Sequence, residues 1–157
     1  MSKIINGFEI VKDSNINRIL EYSKIKIGLN KNILIITNDF FNSPFITGIS
    51  DIKIYIPKKV LESMSEEKLT YIILHELLHY KNKDLIVNIL QAFVTIVYWF
   101  NPFIWLAMKL MKEDRELARY YDVLKIIRKE NSLSYGMTIL EISEMFLNNS
   151  RNKVLDK

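Results

Sequence analysis

The stretch "YIILHELLHYKNKD", Tyr71 to Asp84, holds both histidines of the chain, four residues apart, with Glu76 directly after the first. On an α-helix, residues i and i+4 lie on one face a turn apart, so His75 and His79 can bring two imidazole nitrogens to a single metal ion. Glu76 stands beside the pair, where a carboxylate can take a proton from metal-bound water without binding the metal. The bland alternative is two structural histidines on an amphipathic helix. Against it, no other histidine exists in the chain, and the pair flanks a glutamate at the one offset useful to a zinc hydrolase. The H-E-x-x-H spacing is specific, though short, and the expected cofactor is Zn2+.

The helix that carries this motif has a clear start. Ser65 is a good N-cap, Glu66 and Glu67 occupy the first turn where the helix dipole favours negative charge, and apolar residues run from Leu69 to Leu78, ending near Lys83. Upstream, "NILIITN" (32–38) and "DIKIYIP" (51–57) are rich in β-branched residues and read as strands, joined by the turn-prone "NDFFNSPFITGIS". The second alternates Ile52, Ile54 and Ile56 with Lys53 and Tyr55, a pattern suited to an exposed or edge strand that Pro57 stops. "SNINRILEYSK" (14–24) reads as a short helix capped by Ser14 or Asn15.

Downstream, Leu85 to Met108 contains no charged residue, and Asn101–Pro102 splits it into two helices, the first too short for a bilayer span of about 20 residues. Asp84, Asn88, Gln91, Thr95 and Tyr98 form one narrow polar stripe on that first helix. An otherwise apolar circumference fits a central helix buried on nearly all sides, or a helix lying against lipid or membrane helices.

The chain has 157 residues and 49% hydrophobic content, which suits one domain with a substantial core. We expect an N-terminal segment and short helix to residue 24, a small sheet over 25–60, zinc-site helices over 65–130 and a C-terminal helix and tail over 131–157. The fold class expected is α+β, mostly helical. With no cysteine, disulfides and thiolate metal sites are excluded. Charged and amide residues interrupt every early apolar run, so no cleaved export signal is expected. The net charge is +4, with basic groups at Lys81 and Lys83, at Lys109, Lys112, Arg115 and Arg119, and at Arg151, Lys153 and Lys157. No nucleic-acid motif accompanies them, so direct nucleic-acid binding is not expected; they read as a solvated face, or as attraction to an acidic membrane surface.

A catalytic zinc site needs a third protein ligand and an open position. Here it must be a carboxylate, and in "MKEDRELARYYD" (111–122) Glu113, Asp114 and Glu116 compete, with composition alone not choosing among them. The runs "HELLHYKNKDLIVNIL", "YWFNPFIWLAMKLMKEDREL", "YDVLKI" and "YGMTIL", with "SPFITGISDIKIYIP" before them, resemble the metallopeptidase domain of the beta-lactam-sensing signal transducers, a family of membrane-linked gluzincins. The resemblance covers roughly residues 25–140. It implies a gluzincin-like zinc peptidase in which His75, His79 and Glu116 bind the metal and Glu76 is the general base. It further implies regulated proteolysis in antibiotic-resistance signalling. There a separate sensor domain triggers cleavage of a cytoplasmic transcriptional repressor (an antirepressor role), often with self-cleavage, at the cytoplasmic side of a membrane.

Two departures stand out. Where the family pattern has Cys and Asp one turn after the ligand glutamate, this chain has Arg119 and Tyr120. The pattern therefore implies a missing carboxylate behind a ligand histidine, with the Tyr120 hydroxyl or Asp122 as substitutes, and a catalytically weakened zinc-binding module docking on membrane partners as the rival function. The family's flanking transmembrane helices and sensor are also absent from this sequence. Gluzincins bind substrate as an added strand on a sheet edge, which implies Ile52, Lys53, Ile54 and Tyr55 as the substrate strand. Candidates for transition-state stabilisation are Arg115, Tyr120, Tyr121 and Tyr135, unranked. A third reading is a helical membrane-surface protein without metal.

Overall fold

The computed structural model describes residues 4–5, 8–127 and 131–155. Its architecture is α+β and mostly helical: β1 (Ile4–Ile5), β2 (Phe8–Ile10), α1 (Ser14–Ile27), β3 (Ile33–Asn38), β4 (Phe45–Thr47), β5 (Ile52–Pro57), α2 (Lys58–Ser63), α3 (Glu66–Lys81), α4 (Asp84–Val97), α5 (Pro102–Ile126) and α6 (Ser132–Leu155). The strands form one sheet in the order β1-β2-β3-β5-β4. Of the tail, residues 156–157 lie outside the described residues, as do the side chains of the basic group at Arg151, Lys153 and Lys157.

The H-E-x-x-H helix, α3, is the hub. Ser65 caps it by accepting from the Lys68 amide, as the sequence suggests, and its residues from Tyr71 to Leu74 together with Leu77 and Leu78 are buried. It packs on α1, on the sheet's inner face and on α5 and α6. Ile52, Ile54 and Ile56 point into this core and are at most 2% exposed. Each such isoleucine contributes roughly 1.5–3 kcal/mol of burial energy. The opposite sheet face carries an aromatic group in which Phe45 stacks on Tyr55 and Phe41 packs edge-on against both.

Several expectations are corrected. β5 is not an edge: it pairs in parallel with β3 on one side and antiparallel with β4 on the other, so Lys53, Ile54 and Tyr55 are engaged on both flanks and Ile52 on the β3 side. The alternation arises because one sheet face meets helices and the other meets aromatics. The sheet edge on this side is β4, which the sequence hides as a turn because it is three residues long and lies between Pro44 and Gly48. Gly48 has φ 95°, and a Cβ there would collide with the Asp51 carbonyl, so this tight return to β5 requires glycine. The N-terminal segment adds β1 and β2 to the sheet, and the cap of α1 is Asp13, whose carboxylate accepts from the Asn15 and Ile16 amides.

The central helix is also not the one expected. In α4 only Asp84 is buried, and most of its apolar residues are exposed, with Leu85, Val87 and Val94 half-buried; α3 occupies the centre. Between them Lys83 adopts φ 59°, the one positive φ outside glycine among the described residues, and turns the chain out of α3 into α4. Asn101 accepts from the Phe103 amide and Pro102 opens α5, so α4 and α5 form a helical hairpin as the Asn-Pro pair implies.

Candidate metal centre

His75 and His79 stack one turn apart on α3, and α5 crosses above them to bring Glu116 to the same point. The two Nε2 atoms are 3.1 Å apart, and each lies 3.7 Å from Glu116 Oε2. Among the described residues, His75, His79 and Glu116 form a group whose ligand atoms all lie within 4.8 Å of one another. Of the three carboxylates that compete by sequence, Glu116 alone reaches it. Glu113 faces Lys109 instead, at 3.9 Å. Tetrahedral coordination with bonds of about 2.0–2.2 Å sets donor atoms roughly 3.3–3.6 Å apart, and the observed separations straddle that range.

The outer nitrogen of each ring is held from behind. His79 Nδ1–H donates to Asp84 Oδ2 at 2.7 Å, which leaves Nε2 as a lone pair aimed at the cluster. His75 Nδ1 lies 2.9 Å from the Tyr135 hydroxyl of α6. Two imidazole lone pairs and a carboxylate converging within 4 Å repel one another unless a proton or cation lies between them, so the donor set suits a divalent ion such as zinc. Burial, then the neighbouring His75, lower the pKa of His79, while Asp84 opposes them; the neutral, ligating form is thereby favoured. The His75 imidazole holds Glu116 below the usual carboxylate range, against partial burial.

Asp84 supplies the carboxylate that the sequence comparison expects to be missing. It comes from the start of the next helix, aimed back by the turn at Lys83. Arg119, only 8% exposed, sits behind it, with Nε 3.5 Å from Asp84 Oδ2 and Nη1 3.3 Å from Asp122 Oδ2. The substitutes proposed from sequence do other work. Asp122 is engaged with Arg119, Lys125 and Asn82 and does not reach either histidine. Tyr120 stacks on Tyr135 with ring centroids 5.0 Å apart and packs against the core. Tyr121 is exposed, and Arg115 donates to Gln91 Oε1 at 2.6 Å. Tyr135 is wholly buried, and burial raises its hydroxyl pKa, so it remains a neutral partner for His75.

Glu76 is 8% exposed, and burial pushes its carboxyl up to about 7; the nearby His75 opposes the shift, Glu116 adds to it, and the Ile46 backbone amide of β4 favours the charged form. A cleft of about 500 Å³ opens over these groups. β4 with Pro44 and Gly48 forms one wall, Leu85 and Asn88 of α4 with Lys112 and Arg115 of α5 another, and Ile139 and Ile142 of α6 a third.

A family model described as BlaR1 peptidase M56 matches residues 1–155. The chain belongs to the BlaR1 peptidase M56 family. Among relatives of this M56 chain, the methicillin resistance mecR1 protein of Staphylococcus aureus is 30% identical over 149 residues, covering 91% of the chain and 26% of that protein. The regulatory protein BlaR1 of Bacillus licheniformis is 29% identical over 145 residues, covering 92% of the chain and 24% of that protein. The chain therefore spans about a quarter of the length of these relatives. The resemblance read from the motifs is upheld, and the M56 match carries the chain's assignment to a peptidase family.

The Asp84 contact yields a test. Asp84→Asn should weaken zinc binding about ten- to a hundred-fold, the usual cost of losing a carboxylate behind a ligand histidine, measured by competition with a chromophoric chelator. Tyr120→Asp should not improve zinc binding, because it would place a carboxylate against Tyr135 and the core, and its melting temperature should fall.

Proposed function

We propose that this chain is a zinc-dependent endopeptidase domain of the gluzincin type that cleaves a protein substrate in regulated signalling. The observation that carries this reading is the convergence of His75, His79 and Glu116 beside a buried Glu76, at the foot of a cleft bordered by the sheet edge β4. Bound zinc would supply a Lewis acid that polarises the scissile carbonyl and acidifies water. Glu76, with a pKa near 7, takes a proton from the attacking water and returns it to the leaving amide nitrogen. His79 is oriented by Asp84, and His75 by Tyr135. The substrate lies as an extended segment along β4, pairing with its backbone groups.

The substrate we infer is a transcriptional repressor, or the protein itself, acted on at the cytoplasmic side of a membrane with the domain peripheral or part of a membrane protein. The similarity to proteins named for methicillin resistance and for regulation supports this reading. The Asp84 carboxylate behind His79 supports this reading over that of a catalytically weakened module.

The test is incubation of the zinc-loaded chain with a purified repressor of a beta-lactam resistance operon. Expected is a discrete cleavage that chelator stops and zinc restores; cleavage indifferent to chelator would sink the zinc reading. Strand addition is tested on the peptide spanning the cleaved bond. N-methylation of the amides that face β4 should weaken binding roughly two- to ten-fold each, while methylation of the alternate amides should not.

A further inference from the structure

The α4–α5 hairpin is built inside out. Ile86, Leu90 and Phe93 follow one face of α4 at i, i+4 and i+7, and all are more than half exposed; Ile96, beside them, is 72% exposed. Of the polar stripe on the same helix, Asp84 is buried and Gln91 and Thr95 are half-buried, with Gln91 accepting from Arg115 of α5, while Asn88 is exposed at the cleft and Tyr98 at the tip. α5 repeats the arrangement, with Phe103, Leu106 and Leu110 outward. A helix in water buries its apolar face and exposes its polar one; the reverse arrangement is stable where the surroundings are hydrocarbon and polar groups join helices to one another. The tip adds Trp99 and Phe100, both about two-thirds exposed.

We propose that this hairpin is a lipid anchor that enters one leaflet of a bilayer tip first and leaves by the same side. Its dimensions fit. No helix among the described residues is long and apolar enough to cross a membrane. From Leu85 to Val97 the helix rises about 20 Å, more than the roughly 15 Å of one hydrocarbon leaflet and less than the full thickness, so a tilted hairpin stays within one leaflet. Charge of both signs returns at its base, where Lys83, Lys109, Lys112 and Arg115 stand with Asp84, Glu113 and Asp114. That mixed collar is suited to the headgroup region and gives little net attraction, so apolar insertion drives binding. Because Leu85, Asn88, Lys112 and Arg115 also form a wall of the cleft, the anchor holds the cleft mouth at the membrane surface. This last point rests on the peptidase reading; the anchor itself does not.

The chain's two tryptophans, Trp99 and Trp105, both lie in the hairpin, so selectively excited tryptophan emission reports on it alone. The full chain is mixed with phosphatidylcholine vesicles at about 0.15 M salt, where surface charge is screened beyond roughly 8 Å. Expected are co-flotation, a blue shift of emission, and stronger quenching by acyl-chain-labelled than by headgroup-labelled lipid. Phe93→Asp combined with Ile96→Asp should lower partitioning roughly a hundredfold or more, with an unchanged melting curve and unchanged zinc binding, since both residues are exposed and outside the cleft. Three outcomes overturn the proposal. A blue shift without lipid that grows with protein concentration assigns the face to a second copy. Binding only to phosphatidylglycerol vesicles, reversed by high salt, makes it surface attraction. No shift at all leaves the hairpin merely exposed.

Discussion

Glu76→Gln is expected to leave zinc bound and the fold intact while lowering peptide hydrolysis roughly a hundred- to ten-thousand-fold, the usual contribution of a positioned base. Its carboxylate is buried beside His75 and His79 but is not one of the three groups that converge there. The same substitution has a signature in metal-free protein. Glu76 is raised from 4.5 to about 7 by burial, so folding opposes its ionisation. The penalty is absent below the unfolded value, grows as pH rises from 4.5 towards 7, and is complete above. Chelator-treated wild type should therefore match Glu76→Gln near pH 4 and fall below it by pH 8, by on the order of 3 kcal/mol. Thermal melts of the two proteins across that range measure the difference. Equal pH dependence would place Glu76 in contact with water, and undiminished hydrolysis would remove it as the base.

Glu116→Ala should act on the metal itself. Glu116 supplies the only oxygen in the converging set, so its loss leaves two imidazoles, and zinc affinity should drop at least a hundredfold. Because a metal bound only by the folded chain stabilises that chain by mass action, the melting temperature of zinc-loaded protein should fall with it. Glu113→Ala and Asp114→Ala are the controls, and both should keep full zinc. Metal stoichiometry after gel filtration decides: retention by Glu116→Ala with loss in either neighbour would move the ligand assignment along α5.

The parts of this protein that were legible in the sequence are those fixed by local spacing. The i, i+4 histidines, the Ser65 cap and the Asn101–Pro102 start each depend on residues within one turn, and each is found where expected. What the chain conceals depends on partners far away or on surroundings. β4 is too short, and too close to proline and glycine, to carry a strand pattern, and only pairing with β5 makes it one. Asp84 reads as the first of a polar stripe, because nothing in spacing reveals that a left-handed Lys83 will aim it at His79. An apolar circumference likewise does not say whether its neighbours are protein or lipid, so α4 could be read as the core helix when that place belongs to α3.

Lys83 joins two parts of the molecule that differ in every other respect. It stands between the end of α3 and Asp84, the first residue of α4, whose carboxylate is 2.7 Å from His79 Nδ1. The hairpin is thus a lever about 20 Å long whose short arm is one carboxyl group. Any change in the direction of α4 at Lys83 would therefore also move the carboxylate that holds His79.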